Sequence, residues 1–463
     1  MIRIRVALVV LVLLAIVAPV LGEEALEEAP RAPARQRGEG PFEQLVLRGV
    51  TVIDGTGAPA RGPMGIVIEG NLIVGMRSVG APGVPIDPVD RPEAAEGARV
   101  LDLEGHYVLP GFVDLHAHLG GSIRETPAEY VLKLWMGHGI TTASDPGSGN
   151  GVEWTLDHKR LSAANEITAP RLHVESAFGQ DNDGPITTPE EAREWVRFTK
   201  ERGADGIKFF GARPDIMRAA LDEAAKLGLY TTCHHAQLHV VGQNALDSAR
   251  AGLDSMQHWY GLPEAMFEDK LVQSYPVGYD YNNEQDRFSE AGRLWKQAAA
   301  PFSDKWNAVM NELVELDFTI VPTFHAYEAT RDLSRMMRAE WHEFYTLPVL
   351  WRFYLPDRLA HASYWFYWGT EEEVAWKRNY QLWMTFVNEY KNRGGRVAVG
   401  TDSGYSYNLY GFSFVREMEL LREAGFHPLE VIRAATLRGA EALGVADRVG
   451  SIEVGKLADF VVV

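Results

Sequence analysis

Cysteine is almost missing from this chain. Cys233 is the only one in 463 residues, which excludes an internal disulfide and a cysteine-cluster zinc site. Cations are also in short supply: 45 Lys and Arg stand against 63 Asp and Glu, for a formal net charge of -18. A surface of that sign repels phosphate backbones and argues against nucleic acid as a partner. Long apolar runs are scarce too. The one from Val6 to Val20 follows Arg3 and Arg5 and is short for a bilayer span, so residues 1–22 read as a secretory signal cleaved after Gly22. That predicts a periplasmic or secreted protein without a stable membrane anchor, and the lack of a cysteine near the cleavage site argues against a lipoprotein. From Glu23 to Pro41 no apolar periodicity appears, and residues 23–42 are expected to be a disordered linker.

What is present is ordinary globular composition, 46% hydrophobic and 23% charged, on a chain long enough for a large barrel plus a smaller module. Residues 43–107 contain short β-branched runs separated by Gly, Pro and Asp, including Gln44–Leu47, Val50–Ile53, Gly65–Glu69 and Leu72–Met76. Residues 447–463 have the same character, so the two ends are expected to pair into one small β-sandwich domain. The chain stops at Val463 inside an apolar run, which leaves open that the natural chain continues.

Between the ends the rhythm changes. Eight strand-like runs, Val108–His116, Thr141–Asp145, Arg171–Ser176, Gly206–Phe210, Tyr230–His234, Ser255–His258, Thr319–His325 and Arg396–Thr401, mostly alternate with helical stretches. This pattern predicts an α/β fold, a (β/α)8 TIM barrel over residues 108–446. A tryptophan-rich stretch at about 264–378 is longer than barrel connections need. Part of it is expected to cover the barrel mouth, with most of its tryptophans in ordinary packing.

The C-terminal strand ends of such a barrel carry its chemistry, and here they are rich in ligand-type side chains. His116 and His118 are two apart on a strand, so they face the same side and can hold one ion. Lys208 lies in the apolar strand Asp205–Phe210. A buried ammonium loses its proton readily, and a neutral lysine can take up carbon dioxide as a carbamate able to bridge two cations. The alternative is a lysine paired with a carboxylate such as Glu175. His234 and His235 end the fifth run, His258 the sixth, and Asp402 the eighth. Asp402 can serve as a ligand and take a proton from an attacking water, or simply cap the next helix. His325 is a candidate donor to a substrate carbonyl, or a core histidine, and Tyr327 is a candidate substrate contact.

These segments resemble the amidohydrolase superfamily from about Gln44 onward. The resemblance lies in Pro110–His118, in Gly206-Ile207-Lys208, in Asp254–His258 with Gln257 where Glu is frequent, in Gly400-Thr401-Asp402 and in Val454–Asp459. The branch most similar contains imidazolonepropionases and lysine-bridged Xaa-Pro dipeptidases. The resemblance implies two divalent ions, usually zinc. His116, His118 and Asp402 would bind the first, a fifth-strand histidine and His258 the second, and the Lys208 carbamate would bridge them. A bridging hydroxide would attack the carbonyl, with Asp402 passing the proton to the leaving amine. Family spacing counted from Gly228 selects His234 on the fifth strand, whereas the local His-Ala pair selects His235. Adjacent strand residues point oppositely, so one serves; His234 is preferred, and His235 is kept as a substrate-side candidate. The expected reaction is hydrolysis of a carbon-nitrogen bond in an amide, dipeptide or cyclic amide, on a small-molecule or short-peptide substrate. The competing readings are a lactone, carbamate or organophosphate ester hydrolase and a non-catalytic metal-binding protein. A homo-oligomeric state is left open.

Overall fold

The structure is a computed structural model that describes residues 40–121, 126–358 and 363–463. The expected signal segment, and all but the end of the expected linker, lie outside the described residues. Among the described residues, no helix is long and apolar enough to cross a membrane.

Five strands open the chain: β1 (Gln44–Val52), β2 (Arg61–Glu69), β3 (Leu72–Ser78), β4 (Arg99–Asp102) and β5 (Tyr107–Pro110). Eight follow: β6 (Phe112–Asp114), β7 (Ile140–Gly147), β8 (Arg171–Ala177), β9 (Gly206–Phe209), β10 (Tyr230–Cys233), β11 (Ser255–Gln257), β12 (Thr319–Val321) and β13 (Arg396–Val397). The last is β14 (Phe460–Val462).

The two chain ends meet in one six-stranded sheet of order β14-β5-β1-β2-β3, with β4 beside β1. Its Val50, Val52 and Ile66 share a small core of their own with Ile452. The antiparallel register of β1 on β2 shifts between Arg48 and Val50. Gly49 absorbs the shift at φ 77°, a backbone state a side chain rarely tolerates.

β6 to β13 form a parallel sheet in strict chain order. It curls so that the segments beyond its two edge strands bond to each other: Leu115 N donates to Val399 O at 3.0 Å and Asp402 N to His116 O at 2.7 Å. Gly400 permits that approach, since a Cβ there would stand 2.4 Å from Val321 and 2.9 Å from the His116 Cβ. Helices such as Pro189–Arg202 and Pro214–Leu227 pack apolar faces on the sheet, with Trp195, Val196, Ile216 and Leu221 in the main core.

Three expectations need correction. The run Val108–His116 is two strands, because Pro110 cannot donate to a ladder and Gly111 donates instead to Asp459 O at 2.7 Å. β5 therefore belongs to the terminal sheet and only β6 to the curled one. The run Thr319–His325 ends as a strand at Val321; Thr323 turns to φ 51° and Phe324–Tyr327 form a 3-10 turn. The stretch 264–378 is not one insertion either. β12 lies inside it, and helix Thr370–Asn392 runs past its end. Trp295, Trp306 and Trp376 are buried in the core, as ordinary packing would have them.

Candidate metal centre

The segments just beyond β6, β10, β11 and β13, with Lys208 of β9, deliver His116, His118, Lys208, His234, His258 and Asp402 to one cavity of about 370 Å3. His116, His118 and Asp402 each offer a ligand atom, all within 4.8 Å of one another. Asp402 Oδ1 lies 3.1 Å from His118 Nε2 and 3.6 Å from His116 Nε2, and Asp402 Oδ2 is 3.8 Å from His258 Nε2. The His234 ring stands 4.7 Å from that of His258.

The outer nitrogens are held. His116 Nδ1 meets Gln257 Oε1 at 2.9 Å, while Gln257 Nε2 donates to Thr232 Oγ1 at 2.9 Å. With the amide oxygen toward the ring, His116 donates from Nδ1 and keeps its Nε2 lone pair toward Asp402. His258 Nδ1 pairs with Thr323 Oγ1 at 2.6 Å, again leaving Nε2 inward. Asp114 joins the two sheet ends below them, accepting from His116 N at 3.0 Å and from Thr401 N and Oγ1 at 3.1 and 2.7 Å. His258 and Asp402 both sit in the left-handed region, at φ 65° and 50°. Such positions cost on the order of 1 kcal/mol each and persist where the surroundings impose them.

Burial sets the protonation states. It holds the His116 and His234 imidazoles well below their ordinary range and brings His258 down to about 3. These rings are therefore neutral donors, the form that ligates metal. Burial alone would raise the Asp402 carboxyl, but His116 and the hydrogen bond from His118 hold it well below the carboxylate range. Burial pushes the Lys208 ammonium down to about 8, against the pull of Glu175. Among the described residues, Lys208 Nζ has no hydrogen-bond partner. Glu175, raised by burial to about 7, accepts instead from Ser144 at 2.5 Å.

Two expected site residues stand elsewhere. His235 points away from the cavity and pairs through Nε2 with Ser248 Oγ at 3.0 Å on helix Ala245–Arg250. His325 does not line the cavity. The 3-10 turn breaks strand alternation and aims His325 at Glu328, with Nδ1 2.9 Å from Oε2, fully buried. Tyr327, two residues on, does line the cavity, its ring 5.5 Å from that of His258.

Sequence reasoning missed other parts. Asp145 Oδ1 lies 3.5 Å from His118 Nδ1, and its place at the end of the second strand-like run was the available signal. Tyr260, Tyr281, Arg287, Phe288, Tyr364 and Tyr405 build the cavity wall, and no spacing in the sequence announces them.

A profile of the amidohydrolase family matches residues 107–276 and 384–463, which contain every histidine, the lysine and the aspartate gathered here. The chain belongs to the amidohydrolase family. Membership makes it an enzyme of the amidohydrolase type. Adenine deaminase 2 of Rhizobium etli is 32% identical over 161 residues, 33% of this chain and 24% of that protein. The dihydroorotase of Anaeromyxobacter dehalogenans strain 2CP-C is 29% identical over 213 residues, 45% of each chain. The chain thus aligns with less than half the length of these curated relatives. In fold it is similar to a Xaa-Pro dipeptidase with bound methionine, at TM-score 0.59 and 19% identity over 91% of this chain and 93% of the other. The ochratoxinase of A. niger gives TM-score 0.57 at 16% identity, over 91% and 89%.

Proposed function

We propose that this enzyme hydrolyses a carbon-nitrogen bond of an amide, dipeptide or cyclic amide at a two-metal centre. The observation that carries the reading is the convergence of inward imidazole nitrogens on Asp402, each outer nitrogen of His116 and His258 being committed to Gln257 or Thr323. The donor set suits divalent ions such as zinc: neutral imidazoles, an ionised carboxylate and a buried lysine amine without a partner. In this reading His116, His118 and Asp402 would hold one ion and His234 and His258 a second. Lys208 would complete the donor set as the carbamate formed when its neutral Nζ bonds the carbon of carbon dioxide and loses a proton. The named function of the relatives and fold neighbours, a deaminase, a dihydroorotase and a dipeptidase, supports the bond class.

When bound, the ions supply a polarised carbonyl and a water that ionises near neutral pH. The chain's own residues do the rest. Asp402, ionised and 3.1 Å from His118 Nε2, accepts a proton at Oδ1 or Oδ2 and returns it to the departing nitrogen. Gln257 and Thr323 hold the imidazoles in one tautomer, and the aromatic wall excludes bulk water. Closure of the curled sheet into a full (β/α)8 barrel, pairing of the two ends as a β-sandwich and export directed by residues 1–22 complete the proposal.

The test is elemental analysis of the full chain with a screen of N-acyl amino acids, dipeptides, cyclic amides, lactones and carbamates. Two transition-metal ions per chain with amide turnover are expected. One ion or none rejects the two-metal centre, and turnover confined to esters rejects the bond class.

A further inference from the structure

The family profile leaves residues 277–383 unmatched, yet this stretch supplies Tyr281, Arg287, Phe288, Ala326, Tyr327 and Tyr364 to the cavity. Among the described residues, Arg287 is the one cation this stretch brings to the wall. It lies on helix Glu284–Ala291, two rings from the metal-side histidines. The ring of Tyr327 is 5.5 Å from that of His258, and Phe288 is 6.3 Å from Tyr327. The Arg287 guanidinium is pinned. Its carbon stands 5.2 Å from the Tyr281 ring and 5.2 Å from the Phe288 ring. One arm, Nη2, donates to Glu284 Oε1 at 2.5 Å. Glu284 does not line the cavity, and its bond to Nη2 holds the fork in place.

We propose that Arg287 is a specificity residue that binds a carboxylate of the substrate, whose apolar body lies against Phe288 and Tyr327. This rests on the carbon-nitrogen hydrolase reading and names its substrate class: an amide or short peptide that carries a free carboxylate. Three features support it. A guanidinium is planar and matches a carboxylate in a bidentate pair, and its preset fork loses little freedom on binding. The aromatic surroundings lower the local dielectric and strengthen that pair. The chain as a whole carries -18, which repels an anionic substrate at long range, so an anion retained at this site needs a local cation.

The experiment uses the full metal-loaded chain and paired substrates, each N-acyl amino acid or dipeptide as the free acid and as its carboxamide. Expected is a wild-type preference for the acid. Arg287→Met should raise KM for acids about tenfold to a hundredfold with kcat changed little, and leave the carboxamides unaffected. Arg287→Lys should recover part of the loss, while a merely structural role would change acids and amides alike. A second readout needs no turnover: calorimetric binding of hippurate against hippuramide to wild type and Arg287→Met. Acid-selective binding that depends on Arg287, without amide turnover, keeps the anchor and rejects the hydrolase reading. Amide turnover with no acid preference, or equal loss on both forms, overturns the anchor and leaves the hydrolase reading standing.

Discussion

The two walls of the cavity are built in opposite ways. The metal-side wall comes from the ends of short strands, and its side chains are tied by hydrogen bonds to strand neighbours: His116 to Gln257, His258 to Thr323, Asp114 to Thr401. The facing wall comes from helices and turns of residues 277–383, and stacking carries it, as with Tyr327 on Trp376 at 5.8 Å and Phe288 on Tyr364 at 4.2 Å. Behind it, the turn that carries Tyr327 is clamped by backbone hydrogen bonds and an ion pair. Glu417 accepts from Phe324 N and His325 N at 2.9 and 2.7 Å, and Glu328 pairs with Arg416 at 2.6 Å. Directional bonds set ligand geometry within tenths of an ångström, whereas aromatic packing tolerates exchange and sets shape. The first wall matches the family and the second does not, the division expected where one chemistry is put to different substrates.

That contrast can be broken at either wall. The largest effect is expected from Lys208→Ala, which should lose bound metal and turnover together; full retention of both would remove the bridge. Asp402→Asn should lower kcat by about a hundredfold to ten-thousandfold, and wild-type turnover would end its role as base. Gln257→Leu should weaken metal binding by about tenfold to a hundredfold, read by chelator competition, while KM for the intact loaded fraction stays near wild type. A shift in KM alone would blur the division of labour between the walls.

Across the cavity, Glu328→Gln should leave metal content unchanged and cost about 2 kcal/mol of stability by removing a charged partner of Arg416, which keeps Glu419 at 2.6 Å, measured by denaturant unfolding. It should also change the pH profile. Burial alone would raise the Glu328 carboxyl, but His325 and Arg416 hold it below its ordinary value of 4.5. Its stabilisation is therefore present above about pH 4.5 and lost as pH falls through the depressed value. The variant should lack that acid-side loss, and an unchanged profile would exclude this pair as its source.

Most of the metal-side wall was legible in the chain. His116, His118, His258 and Asp402 each sit at the end of a β-branched or apolar run and Lys208 within one, and strand periodicity with the barrel rule places such ends on one face. The choice between His234 and His235 was not legible, because β10 stops at Cys233 and alternation says nothing beyond a strand's end. His325 misled for the same reason: its run leaves the strand at Val321.

The amino-acid order by itself determined the eight-strand rhythm, the pairing of the two ends and the strand ends that carry His, Lys and Asp side chains, since these follow from local periodicity. Only the tertiary structure decided which histidine of the fifth strand faces the cavity, that His325 serves Glu328, and that Arg287 lines the same cavity as His116 and His118. Those outcomes depend on contacts between segments far apart in the chain. The bond from Gln257 to His116 spans 141 residues, and no local pattern encodes a distance of that kind.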